Sequence, residues 1–238
     1  MRDPEIIAAY AASIAGRLDF DPSLSRRVRQ EVEDHLWESM STRASNGLET
    51  AQEATARFGD PQALAAEFAT MWLAEQTRKL SAAAVLLVLA LLLIMKARLA
   101  WYGIAQWTLN AELRTVGLTV GLVDIYAFWL AVTCVVAGWA YLFGYRIAAS
   151  CAAQCRRFCH VVCLTSVSVL ALMVSVTCDV VLTALRLVGR DFSAQALIPL
   201  ASVAAESALI GVLVLKICSL ATRMPRTTAL VEPDTLRR

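Results

Sequence analysis

The chain has 238 residues, 58% of them hydrophobic and 18% charged, whereas a water-soluble domain carries about 45–50% apolar and about 25% charged residues, so the balance leans toward lipid. The charge is divided: residues 1–75 hold 7 Lys/Arg against 13 Asp/Glu, a net of −6, and residues 76–238 hold 15 against 7, a net of +8. The basic half does not read as a nucleic-acid surface, because its charges fall in short gaps between apolar runs.

The start of the chain, MRDPEIIAAYAAS, is charged and amphipathic and lacks the continuous apolar stretch of a cleavable signal peptide. Helix punctuation follows. Asp3-Pro4, Asp21-Pro22 and Asp60-Pro61 each set a capping carboxylate before a proline at the first helical position, where a missing N–H costs nothing. Gly47 and Gly59 serve as stops. Four helices are predicted, over about 4–18, 22–45, 49–58 and from Pro61 onward, each with an apolar stripe at helical spacing. The stripes are Ile7, Tyr10, Ile14 and Leu18; then Leu24, Val28, Val32, Leu36 and Met40; then Leu48, Ala51, Ala54 and Phe58; then Leu64, Phe68 and Trp72. Single stripes need partners to bury them, so a compact bundle is expected, with Phe58 in its core. The fourth helix meets no stop before Leu80 and is expected to run on into the membrane.

The stretch EVEDHLWESM…NGLETAQEATARFGDPQALAAEF carries Glu31, Asp34, His35 and Leu36, then Gly47, then Glu53, Ala54, Arg57, Phe58, Gly59, Asp60 and Pro61, and finally Glu67 and Phe68. This pattern resembles the HAAS-type, or permease-prefix, N-terminal domain over roughly residues 20–70. The resemblance implies a cytoplasmic module ahead of membrane helices, found with PadR-type transcriptional repressors or fused to exporter-type permeases. It points to signalling rather than chemistry.

Four apolar runs follow, Leu80–Met95, about Val116–Phe143, about Phe158–Leu185 and about Leu197–Ala221. The first spans only about 24 Å against a hydrocarbon core of about 30 Å, so it is expected to extend toward Trp101, with Lys96 and Arg98 snorkelling outward. Trp101, Tyr102, Trp107, Trp139, Tyr141 and Tyr145 fall near span ends, as an aromatic belt would, and the loop of about 98–115 is expected to lie at the interface. The fold class is therefore all-α: a small cytoplasmic helical bundle over 1–76, then a four-helix transmembrane bundle over 77–238 with a short basic tail.

Three carboxylates, Asp124, Asp179 and Glu206, lie inside spans, where charge is costly and marks a candidate site for a cation, proton or ligand. Against this, both aspartates fall toward the outer ends of their spans, where water reaches. Cys151, Cys155, Cys159 and Cys163 recur every four residues beside His160, Arg156 and Arg157. Neighbouring arginines activate thiols, so a soft-metal site, a redox sensor or palmitoylation are the sharp readings. The spacing lacks the C-x2-C pairs of zinc sites, and small packing residues in a membrane helix are the preferred reading. Neither a metal nor a cofactor is expected, and His160 alone cannot hold a bis-histidine haem. No P-loop, dinucleotide fingerprint, H-E-x-x-H or nucleophile elbow occurs in the sequence, which argues against an enzyme.

The resulting expectation is a membrane-bound regulator that holds a cytoplasmic transcription regulator, PadR-type or a sigma factor, and makes no direct contact with nucleic acid. Glu31, Asp34 and Glu38 stand at i, i+3 and i+7 on the second helix, opposite Val28, Val32 and Leu36, and with Arg57 and Asp60 form the candidate partner-binding face. The alternatives are a small transport or channel subunit and an accessory subunit of a larger complex; self-association is a further option. Lys/Arg in the flanking loops divide ten against five in favour of an inner-membrane protein with both termini cytoplasmic. A reporter fused after Arg238 is expected to be active only as a cytoplasmic fusion. Periplasmic activity there, with a cytoplasmic N-terminus, would require an odd number of spans.

Overall fold

The computed structural model describes residues 3–43, 50–109, 111–143, 151–188 and 194–231. Of these, 94% are helical and none is in a strand. The order is α1 (Asp3–Arg17), α2 (Pro22–Arg43), α3 (Ala51–Phe58), α4 (Pro61–Ile104), α5 (Arg114–Phe143), α6 (Cys151–Leu187) and α7 (Leu197–Val231), with single 3-10 turns at Ala111–Leu113 and Ala194–Ala196. Gly47, Leu48, Tyr145, Arg146, Arg190, Arg237 and Arg238 lie outside the described residues, as does the side chain of Cys151. The chain forms two compact units. One gathers residues 1–76 with 147–156 and 220–238; the other holds 77–146 and 157–219. The two later segments of the first unit fall within 77–238, the range expected for the membrane domain.

In the first unit, α1 to α3 and the start of α4 enclose a core of Ile7, Ile14, Leu18, Leu24, Val28, Val32, Leu36 and Leu73. The α2 stripe is as read from sequence, except that Met40 is only half-buried. Two stripes are displaced. On α4 the buried face runs through Ala65, Ala69, Trp72 and Leu73, while Leu64 and Phe68 are half-buried. On α1, Ala11 is buried and Tyr10 is turned aside, its hydroxyl donating to the Gly59 carbonyl at 2.8 Å. Alanines admit the neighbouring backbones more closely than bulky residues do, and the bulky residues then flank the seam. Phe58 is likewise half-buried against the edge of Tyr10, with centroids 6.4 Å apart, so it is not the core residue expected.

The helix ends show why the chain turns where it does. Thr50 caps α3 through a reciprocal pair: its hydroxyl accepts from the Glu53 N–H, and its own N–H donates to the Glu53 carboxylate at 3.1 Å. Gly59 ends α3 at φ 104°, a conformation that penalises any residue with a Cβ. Asp60 then accepts from the Ala63 N–H and opens α4.

Asp21 does more than cap. One carboxylate oxygen accepts from the N–H groups of Ser23 and Leu24 and from the Ser23 hydroxyl at 3.0, 3.3 and 2.6 Å. The other accepts from Trp72 Nε1 on α4 at 3.1 Å and from Arg223 on α7 at 2.9 Å. Phe20 meets the edge of the same Trp72 ring, centroids 5.1 Å apart. One carboxylate therefore joins three helices of this unit.

The second unit is a membrane bundle. Four helices, Pro61–Ile104, Ala111–Phe143, Ala153–Leu187 and Leu197–Val231, are long and apolar enough to cross a bilayer. Half of the most apolar window of α6 is buried, against 33% for α4 and 22% each for α5 and α7, so α6 is the central helix. Leu86, Leu93, Tyr126, Leu170 and Leu215 are each more than 60% exposed and face outward, as lipid-contacting side chains do. The proposed interfacial loop is mostly something else. Residues through Ile104 complete α4, and Tyr102 stacks on Trp107 at 6.0 Å in a buried cluster with Ala196. These two aromatics are interior residues, not members of a belt.

Burial pushes the Asp21 carboxyl up, but the hydrogen bonds from Ser23 and Leu24 and the Arg223 guanidinium outweigh it and hold the group below its ordinary range. A depressed folded-state value gives stability that is present above the unfolded value of about 3.9 and is lost as pH falls through the folded one. Asp21→Asn keeps a capping oxygen but leaves Trp72 Nε1 and Arg223 without an acceptor. Unfolding of the full chain in detergent, followed by tryptophan fluorescence, is expected to show a loss of about 1–3 kcal/mol at neutral pH. The difference from the native chain should shrink as pH is lowered below about 3.9. An unchanged melt at neutral pH would remove Asp21 from its tying role.

Candidate functional site

Charge is concentrated inside the membrane unit. Arg98 lies on α4, six residues before its end, and is 3% exposed. Its guanidinium is ion-paired with Asp179 of α6 and with Glu206 of α7, the latter at 3.0 Å. Asp179 is 7% exposed and Glu206 only 1%. The second Glu206 oxygen is buried without a hydrogen-bond partner among the described residues. Asp124 on α5, 6% exposed, accepts from the Ser175 hydroxyl of α6 at 2.5 Å. The four spans thus each contribute one charged residue to the bundle interior.

This corrects one expectation. Arg98 does not snorkel outward, because two carboxylates inside the bundle each take one of its guanidinium nitrogens. Asp124 and Asp179 are both largely buried, on α5 and α6, and both border a cavity. Residues Val161, Thr165, Ser168, Leu172, Ser175, Asp179 and Thr183 recur at intervals of three or four, and all are buried. Small hydroxyl residues let helices approach and bond across the seam. Ser168 donates to the Ala131 carbonyl of α5 at 3.0 Å, Ser175 to Asp124, and the Thr183 hydroxyl lies 2.9 Å from that of Tyr102. Arg98 and this Ser/Thr repeat were both missed from sequence. The repeat was readable there as hydroxyls at coiled-coil spacing inside an apolar run.

A cavity of 670 Å³ opens beside the charges, lined by the end of α4, the connection to α5, α5 itself and α6. Arg98, Asp124 and Asp179 form one part of its wall, and Tyr102, Trp107, Arg114 and Arg186 another. The Arg186 guanidinium lies 4.1 Å from the centre of the Tyr102 ring.

In the first unit, Glu31, Asp34, Glu38, Arg57 and Asp60 are all exposed, and Val28, Val32 and Leu36 are buried on the opposite side of α2. Trp37, 45% exposed, lies beside the carboxylates, and His35 stands 3.7 Å from Glu38. Asp60 is also spent on capping α4. Along α6, Cys155 is buried, Cys159 half-buried and Cys163 exposed, so this row does not present one common surface. The described residues contain no group of three His, Cys, Asp or Glu placed to hold a metal ion. No family model, curated protein or solved structure matches the chain.

Removing Arg98 leaves Asp179 and Glu206 buried without a counter-ion. Arg98→Ala is expected to cost about 3–5 kcal/mol in denaturant unfolding in micelles. Replacing all three together (Arg98→Met, Asp179→Leu, Glu206→Met) should recover most of that loss, since no charge then remains to be desolvated. A single variant as stable as the native chain would show that the carboxylates find water instead of arginine.

Proposed function

We propose that this membrane protein is a regulator, not an enzyme, which holds a cytoplasmic transcription regulator through its N-terminal unit and responds to a ligand of its membrane unit. One arrangement supports this reading above others. α4 and α7 each carry a member of the Asp21 cluster, Trp72 and Arg223, and each carries a member of the buried charge cluster, Arg98 and Glu206. Two helices of the N-terminal unit therefore also carry members of the charged cluster. The HAAS-type resemblance leads in the same direction, and a PadR-type repressor is the first candidate partner, with a sigma factor the second.

The binding face is assigned to Glu31, Asp34 and Glu38, with Arg57 and Asp60 at its edge. All are exposed on an acidic module, which suits a basic DNA-binding partner. The mechanism would be sequestration: a regulator held at the membrane cannot reach DNA. In this reading the membrane is the inner one and both termini are cytoplasmic. Assigning Arg98 to the bundle interior lowers the outer loop count from five to four and strengthens that orientation. A second reading, a small transport subunit, is favoured by the intramembrane charges alone.

Full-length protein in detergent should retain a transcription regulator from cytoplasmic extract. The combined variant Glu31→Lys, Asp34→Lys, Glu38→Lys should retain at least about tenfold less, with native binding weakening as salt rises. The exchange leaves folding nearly intact, because exposed charges contribute about 0–1 kcal/mol each. Equal retention would move the interface elsewhere. If neither protein retains a regulator, the regulatory reading fails and the transport reading takes its place.

A further inference from the structure

We infer that the cluster of Arg98, Asp179 and Glu206 is a proton-binding site between α4, α6 and α7, with the proton carried by Glu206. The Arg98 guanidinium pairs with Asp179 through one nitrogen and with Glu206 Oε2 through the other. All three residues are more than nine-tenths buried. Two carboxylates thus meet on one guanidinium, which can balance only one of them. In a water-poor interior the surplus negative charge is removed by taking up a proton, because a neutral carboxyl is far less costly to bury than an anion.

Glu206 meets the field of one charged group from each of the other spans: Arg98 on α4, Asp124 on α5 and Asp179 on α6. One attracts its negative charge and two repel it. Among the described residues no other cation reaches Glu206. Arg186 is half-buried over the Tyr102 ring, and Arg114 is exposed at the start of α5. Both line the cavity, whose wall does not include Glu206.

Three carboxyls could hold the proton, and their surroundings separate them. Asp124 accepts from the Ser175 hydroxyl, and both Asp124 and Asp179 border the cavity. Glu206 is the most buried of the three, at 1% exposure, and no described group donates to its Oε1. A bare, buried oxygen is the costliest place to keep negative charge. With the proton on Oε1 that charge is gone, and Oε2 keeps the Arg98 bond as a carbonyl oxygen, 3.0 Å from the guanidinium nitrogen. A metal ion is poorly served, because the described residues place no three carboxylate, thiol or imidazole groups together to hold one. The cavity is bordered by Arg98 and Asp179, the two partners of Glu206, so the route from outside ends one residue short of the site. Releasing the proton leaves a net negative charge among three helices, so its presence bears on how α4, α6 and α7 hold together.

The site needs only the membrane unit, and its test uses no partner, so it stands or falls separately from partner capture. Infrared spectra of full-length protein in detergent at neutral pH should show the C=O stretch of a protonated carboxyl, shifted in heavy water. Isotopic labelling of the glutamate carboxyl carbon should move that band, and Glu206 is the only buried glutamate among the described residues. Glu206→Gln should remove the band, and Asp124→Asn should keep it. Because an unfolded glutamate ionises near pH 4.3, unfolding the native chain at neutral pH should release about one proton more than unfolding Glu206→Gln. Absence of the band, a band unmoved by glutamate labelling, or equal proton release from the two chains would overturn the inference. If Glu206→Gln does not fold, the labelled native chain still decides. A band that survives in Glu206→Gln and vanishes in Asp124→Asn would overturn it too, by placing the proton on Asp124.

Discussion

A charge placed in a bilayer has no water to answer it, and the membrane unit is organised around that constraint. Arg98 is reached by Asp179 and Glu206 from two other helices, so both buried carboxylates have a counter-charge inside the bundle. The apolar surfaces of the four spans do not specify such an arrangement, because lipid tails satisfy leucine as well as another helix does. The charges therefore fix which helix faces which, and at what height. Asp124 adds the remaining span through Ser175, so each helix of the bundle is positioned by at least one polar bond.

The central position of α6 follows from the residues around those bonds. Its buried face mixes apolar and hydroxyl side chains, Val161 and Leu172 among Thr165, Ser168, Ser175 and Thr183. Such residues are narrow enough for α5 to bring the Ala131 carbonyl within 3.0 Å of Ser168. The opposite faces of the other spans carry the bulky leucines and valines, which lipid accepts. Where the polar seam and the apolar walls diverge, beside Gly121 and Asp124, space is left, and the chemistry of that space is mixed for the same reason.

The N-terminal unit solves a different problem. It is small, and four short apolar stripes bury little surface, so polar ties take a larger share of its cohesion. Asp21 supplies the densest of them, capping α2 while accepting from Trp72 and Arg223. The participation of Arg223 makes the end of α7 part of this unit, which a division of the chain into consecutive domains would separate. Glu31, Asp34 and Glu38 of α2 are left exposed because Val28, Val32 and Leu36 on its other side enter the core.

The all-α class, the four spans and the helix starts at the aspartate-proline pairs were determined by sequence, because each rests on local chemistry: a missing N–H, a capping oxygen, an apolar run of sufficient length. The α2 stripe and the carboxylates opposite it were legible for the same reason, since both follow from one helical period. What only the tertiary structure decided were pairings between residues far apart in the chain. Arg98 read as a flanking, outward residue because its partners lie 81 and 108 residues later, and no local pattern announces them. Arg223 joined Asp21 across 202 residues. The stripes on α1 and α4 shifted toward alanine because the closeness of two backbones is a property of the pair and not of either helix. Local sequence sets what each helix is, while the partner of a buried charge or a small side chain is chosen only when the helices meet.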